Sequence, residues 1–177
     1  MDRAYKGAER VRRPQNLARS FETYLQSQTA LRILSFDDVL RFLVGCRYVR
    51  DRELFGKEEV WQHPNDFERA RAGDCEDHAL WAWAQLAQLR IEARFTAGFR
   101  KGGHAWVTLY RTDPPGIFET TSKEPERAVK DPREDASYEP IWSVDARLRF
   151  WWHRRPKKRA GGGEGIEFLE RPGGGGL

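Results

Sequence analysis

One stretch of the chain constrains its fold more than any other: GDCEDHALWAWAQLAQLR at residues 73–90, followed at once by IEARFTAGF at 91–99. In the first segment Ala79, Ala82, Trp83, Leu86 and Leu89 recur at helical spacing and form one apolar stripe. Gly73 permits a sharp entry, Asp74 is placed to cap, Cys75 joins the stripe in the first turn, and Asp77 is expected on the opposite side. At Ile91 the period drops to two. Ile91, Ala93, Phe95, Ala97 and Phe99 alternate with Glu92, Arg94, Thr96 and Gly98, the pattern of a strand. A basic turn, RKGG, leads to a second strand, HAWVTLY. The turn RTDPPG leads to a third, IFETTS. Upstream, Leu17, Phe21, Leu25 and Leu31 predict a helix over 16–33. Ser35, with Asp37 and Asp38 behind it, predicts a second helix reaching about Cys46. The polar segment DRELFGKEEVWQHP reads as a connection, and NDFERARA as a short helical turn. Helices first and an antiparallel meander after make the class α+β.

Charge and glycine content divide the chain. Eight of its 16 glycines lie in residues 160–177, and residues 147–159 carry seven basic groups and no acid, while the net charge of the whole is only +4. The remainder is nearly neutral. The expected organisation is a folded unit over 1–155 with an N-terminal helical arm at about 1–34, then a basic, Gly-rich flexible tail at 156–177. A nucleic-acid or other anionic partner at 147–159 is the less favoured use of that run, because the basicity belongs to one segment rather than to the whole domain. Trp151 and Trp152 are expected to close the domain edge, Trp83 and Trp106 to lie in the core, and His63 and His153 to be solvated. No apolar run approaches the roughly 18 residues of a membrane helix. The basic start lacks the apolar stretch of a secretory signal, so the cytoplasm is the expected compartment. The two cysteines, Cys46 and Cys75, make neither a disulfide framework nor a paired zinc spacing.

Three residues carry candidate chemistry. Cys75 at a helix start is where partial positive charge and free N–H groups favour a thiolate. His104 at a strand start is the candidate base and acid, and Glu119 on the next strand is the candidate group to hold the imidazole ring. If Tyr110 opposes Ile117 across the turn, His104 opposes Lys123, and parity puts His104 and Glu119 on one face. Asp131 and Asp135 compete for the role of the acid, and His78, three residues after Cys75, competes as the base. Cys46 reads as an inert core thiol. Asp74, Glu76 and Asp77 read as helix-capping acids, and the residues by themselves call for no cofactor.

The runs W-Q-H-P (61–64), G-D-C-E-D-H-A-L (73–80), H-A-W-V (104–107) and F-E-T-T (118–121) resemble the transglutaminase-like cysteine peptidase core, and are most similar to its bacterial members. The resemblance covers about residues 36–145. It implies a papain-like arrangement, with the nucleophile helix packed on an antiparallel sheet. It also implies Cys75 as nucleophile, His104 as base and acid, and the third-strand acid as orienter. The family usually has aspartate at that last position, where this chain has Glu119. The implied activity is acyl transfer on a peptide or protein amide through a thioester, closed by water or an amine. The backbone N–H at the helix start would meet the oxyanion, with Trp61 or Gln62 as an additional donor. Some bacterial relatives hold calcium at acids beside the nucleophile, which adds calcium near Asp74 and Glu76 as an option. Two other classes remain beside the enzyme: an idle binding or assembly module tethered by its Gly-rich tail, and a nucleic-acid-associated protein.

Overall fold

The computed structural model describes residues 9–11, 15–110 and 116–153, with side chains from residue 20 onward. The expected tail at 156–177, the turn at 111–115 and residues 154–159 of the basic run lie outside the described residues. The architecture is α+β. A short strand β1 (Glu9–Val11) precedes helices α1 (Gln15–Leu25) and α2 (Phe36–Val44). Next come β2 (Arg47–Tyr48), α3 (Asp51–Phe55), α4 (Pro64–Ala70), β3 (Ala72–Gly73) and the long helix α5 (Cys75–Gln88). Then follow β4 (Ala93–Phe99), β5 (Gly103–Leu109), β6 (Gly116–Phe118), β7 (Val129–Lys130), β8 (Glu139–Asp145) and β9 (Phe150–Trp152). Seven strands form one antiparallel sheet in the order β1-β9-β8-β4-β5-β6-β7, while β2 and β3 make a separate parallel pair. Among the described residues no helix is long and apolar enough to cross a membrane.

Helix α5 packs on β4 and β5 and is enclosed by α1, α2 and α4 on its other sides. Its residues from Glu76 to Leu86 are all buried. Asp77, expected to point away from the core, is therefore wholly buried. A one-stripe reading fails for a helix covered all round. Phe21 of α1 sits at the centre of the aromatic core, its ring 5.3–6.1 Å from Tyr24, Trp61, Trp83, Phe95, Trp142 and Phe150. On the other side of α5, Trp81 stacks on Phe42 at 4.0 Å. Each such fully buried side chain contributes roughly 1.5–3 kcal/mol, so the helix that carries Cys75 is also the one most firmly anchored.

Several expectations need correction. Helix α1 ends at Leu25 rather than residue 33. The backbone N–H groups of Ala30 and Leu31 are captured instead by the Glu68 carboxylate of α4, at 2.6 and 3.0 Å, which also accepts from the Trp81 indole at 3.2 Å. Helix α3 lies where a plain connection was expected. Ser35 does cap α2, accepting from the Asp38 N–H at 3.2 Å. His153, expected in solvent, is buried, with Nε2 2.9 Å from Ser143 Oγ, and burial pushes its pKa down to about 4. Trp151 and Trp152 lie on β9, which is an inner strand because β1 pairs outside it.

The sheet positions the site through register. Thr108, not Tyr110, opposes Ile117, so the β5–β6 pairing is displaced by two residues from the expected one. A displacement of two preserves parity, and His104 and Glu119 still share a face. On β4, Gly98 lies opposite His104 at a break in the β4–β8 register. A Cβ at Gly98 would sit 2.1 Å from Glu139 O and 2.8 Å from the Trp106 ring, so only glycine lets those groups close over it.

Candidate active site

Cys75 is the first residue of α5, entered from β3 through Gly73 and Asp74. The entry is tight, since a Cβ on Gly73 would lie 2.3 Å from Asp77 Oδ2 and 2.7 Å from Gln62 Nε2. The reason is a buried clasp. Asp77 Oδ1 accepts from the Gln62 backbone N–H at 2.8 Å, and its Oδ2 accepts from Gln62 Nε2 at 2.6 Å and from Asp74 N–H at 3.3 Å. The clasp ties the segment before α4 to the first turn of α5. It also occupies the Gln62 amide, whose other contact is Ala72 O at 3.0 Å, while the Trp61 indole donates to Glu59 at 2.7 Å. Neither side chain expected to supply an extra oxyanion donor points its N–H into the site.

Cys75 is partly buried. Helix α5 packs on β5, and the backbone N–H of Ala105, the residue after His104, works to lower the Cys75 pKa. Cys75 Sγ lies 3.3 Å from Glu76 Oε2. Burial first, then the charges of Glu76 and Asp74, push the thiol well above its ordinary pKa. This reverses the expectation of a depressed thiol. A helix N-terminus offers about half a positive charge, which two adjacent carboxylates and burial outweigh.

His104 Nε2 lies 2.8 Å from Glu119 Oε2, leaving Nδ1 as the ring nitrogen not committed to the acid. Glu119 directly follows β6 and is buried, with its N–H bonded to Ala128 O at 2.7 Å. Its side chain is heavily engaged. Oε2 also accepts from Tyr138 Oη at 2.6 Å and Arg100 at 3.2 Å. Oε1 accepts from Thr121 Oγ1 at 2.7 Å and Thr121 N–H at 3.2 Å. Burial works to raise the Glu119 pKa, but His104, then Tyr138 and Thr121, outweigh it and bring the carboxyl down to about 2. The competing acids lie elsewhere: Asp131 is engaged by Arg133, and Asp135 by Ser137 and Lys130. His78 is fully buried, with Nδ1 2.7 Å from Asp74 O and its pKa pushed down to about 4 by burial. Cys46 is buried, donates to Phe42 O at 3.3 Å, and is pushed up to about 11 by burial.

The acids beside the thiol do more than cap. Asp51 Oδ1, Asp74 Oδ1 and Glu76 Oε1 are buried with no hydrogen-bond partner among the described residues. The ligating atoms of Asp74, Cys75 and Glu76 lie within 4.8 Å of one another, as do those of Asp51, Asp74 and Asp77. Burial, together with Asp74, raises Glu76 well above the usual carboxylate range. Burial likewise takes Asp51 to about 6 and Asp77 to about 7. Asp51, on the unforeseen helix α3, had no sequence signal linking it to this cluster. Arg100 and Tyr138 were equally unmarked, while Thr121 lay within the run F-E-T-T without a role of its own.

Cys75 thus starts a central helix that packs on the antiparallel sheet carrying the His104–Glu119 pair. No family model and no curated protein sequence matches the chain. Among solved structures, calcium-bound LapG of Legionella pneumophila is similar with a TM-score of 0.53 and 18% identity, over 81% of this chain and 88% of LapG. The EGTA-treated form of LapG gives 0.56 and 19%, over 82% and 86%. At 18–19% identity the likeness is one of fold, and this chain has the fold of LapG.

Proposed function

We propose that the chain is a thiol-dependent peptidase or amidase acting on a peptide or protein amide, with Cys75 as nucleophile, His104 as base and acid, and Glu119 as the group that orients His104. The observation that carries this reading is His104 Nε2 on Glu119 Oε2 at 2.8 Å, on the strands against which α5, starting at Cys75, packs. In the proposed cycle His104 Nδ1 takes the thiol proton as Sγ attacks the carbonyl carbon, and the backbone N–H of Cys75 meets the oxyanion. Glu119 stabilises the resulting imidazolium. The ring then protonates the leaving amine as the C–N bond breaks, leaving a thioester that water hydrolyses or an amine captures.

The raised thiol makes the first step costly unless the neighbouring negative charge is offset. Calcium fits the residues present: Asp51, Asp74 and Glu76 offer hard carboxylate oxygens, each with one buried oxygen lacking a partner among the described residues. Asp74 would be the common ligand, its oxygen grouping with Glu76 on one side and with Asp51 on the other, and Asp77, clasped by Gln62, would set its position. Bound there, calcium would supply positive charge beside Sγ and so favour the thiolate. The raised thiol also favours a second reading, a module that stays idle while these acids remain uncompensated.

The test is terminal-amine labelling of a cell lysate incubated with the full chain or with Cys75→Ala, in calcium and in EGTA. New termini are expected only with the unmodified chain, and more of them in calcium. The same termini from both proteins would remove the peptidase reading.

A further inference from the structure

The oxygen of Glu119 that receives His104 is shared among three donors from three parts of the chain. His104 comes from β5, Arg100 from the β4–β5 turn and Tyr138 from the segment before β8, at 2.8, 3.2 and 2.6 Å. Arg100 and Tyr138 are themselves joined, the guanidinium lying 4.7 Å from the Tyr138 ring centroid. Tyr138 is buried and packs edge-on against Trp106 at 5.2 Å. Trp106 lies over Gly98 and is stacked 6.0 Å from His104. The packing thus fixes where Tyr138 Oη can point. Glutamate has one more rotatable bond than aspartate, and this shell removes the extra freedom.

We propose that Arg100 and Tyr138 are positioning residues that hold Glu119 Oε2 against His104 and divide its negative charge, limiting how firmly the carboxylate binds a proton on the imidazole. The inference rests on the reading that His104 and Glu119 act together beside Cys75. It deepens that reading, because a ring already protonated at both nitrogens cannot accept the thiol proton. A lone buried carboxylate favours such a ring strongly. Two further donors, one of them cationic, weaken its hold. The other charged groups around the pair are Lys130 and Asp135, paired with each other at 3.6 Å beside Tyr138, and Lys123, which donates to Leu43 O and Cys46 O. From α5 the buried His78 lies within electrostatic reach of Glu119. Among these only Arg100 and Tyr138 join His104 on Oε2.

The test follows the His104 ring by NMR across pH, with resonances assigned from His104→Gln, in the full chain and in Arg100→Met, Arg100→Lys and Tyr138→Phe. Removing a donor frees carboxylate charge for the imidazolium, so the titration midpoint should rise, on the order of one pH unit for Arg100→Met and less for Tyr138→Phe. Arg100→Lys keeps the charge and should restore much of the difference. Glu119→Gln should move the midpoint down. Midpoints that stay put or fall in Arg100→Met and Tyr138→Phe, while Glu119→Gln lowers it, would overturn the shared-charge role and leave the His104–Glu119 pair standing. An unmoved midpoint in Glu119→Gln would overturn both.

Discussion

Replacing Glu119 by glutamine probes the most heavily bonded side chain of the site. Both carboxylate oxygens face only donors: His104, Tyr138 and Arg100 on one, the Thr121 hydroxyl and N–H on the other. A glutamine must turn its NH2 toward one set. The less costly choice is Thr121, whose hydroxyl can rotate to accept, although its N–H then opposes another donor. The charge is lost in either case. A folded pKa of about 2 against an ordinary 4.5, at ~1.4 kcal/mol per unit, corresponds to about 3 kcal/mol. The carboxylate is only 3% exposed, so solvent screens little of this. Because the folded value is depressed, that stability is fully present above pH 4.5 and is lost as pH falls through about 2. At pH 7 the Glu119→Gln protein should therefore melt about 6–12 °C below the unsubstituted chain. The gap should close as pH approaches 2. Calorimetric melts of both proteins from pH 2 to 7 check this, and a gap independent of pH would refute the argument. Turnover, if the proposed chemistry holds, should fall by ~10²-fold or more.

In metal-free protein the raised carboxyls act in the opposite sense. Asp51 at about 6 and Asp77 at about 7 stabilise while protonated, and that contribution is lost as pH rises from the ordinary 3.8 through those values. Melting temperature in EGTA should drop over that window. Calcium should raise it at pH 7.5 and do little at pH 4, and a calcium-independent melt at pH 7.5 would count against the cation site. Gly73→Ala should cost about 1–3 kcal/mol in chemical denaturation, because its Cβ must displace the Asp77–Gln62 clasp; an unchanged midpoint would mean the clasp gives way freely. In EGTA at pH 7, iodoacetamide should label Cys75 no faster than an ordinary free thiol and leave Cys46 untouched. Calcium should accelerate Cys75 alone, and fast labelling in EGTA would contradict the raised thiol.

How much of this was legible in the sequence depends on how local each cause is. The change of period at Ile91 marks the helix-to-strand transition because both patterns are written in adjacent side chains. The Ser35 cap is legible for the same reason. Parity of His104 and Glu119 survived a register displaced by two, since faces repeat every second residue. The burial of Asp77 was not legible, because a helix wheel cannot report that α1, α2, α4 and the sheet surround α5 together. Nor was the convergence on Glu119: Arg100 and Tyr138 each lie 19 residues away in the chain, on opposite sides of it. The wrong sign for the Cys75 thiol came from weighing the helix start while reading the neighbouring acids only as caps.

The place of Glu119 in the sheet has a kinetic consequence. Its backbone is held by Ala128 O just beyond the short β6–β7 pairing, at the edge of the sheet farthest from β1. Two-residue edge pairings are where native proteins open first, well below the free energy of global unfolding. The acid is in place only while that edge is closed. An opening free energy of ~1.4 kcal/mol would leave about one molecule in ten without it, and anything that binds the closed edge would recover that fraction. The amide of Glu119 should then exchange with solvent deuterium faster than the amides of Val107 or Trp83, so that the population with the His104–Glu119 pair in place is set at a rim of the sheet rather than in its core.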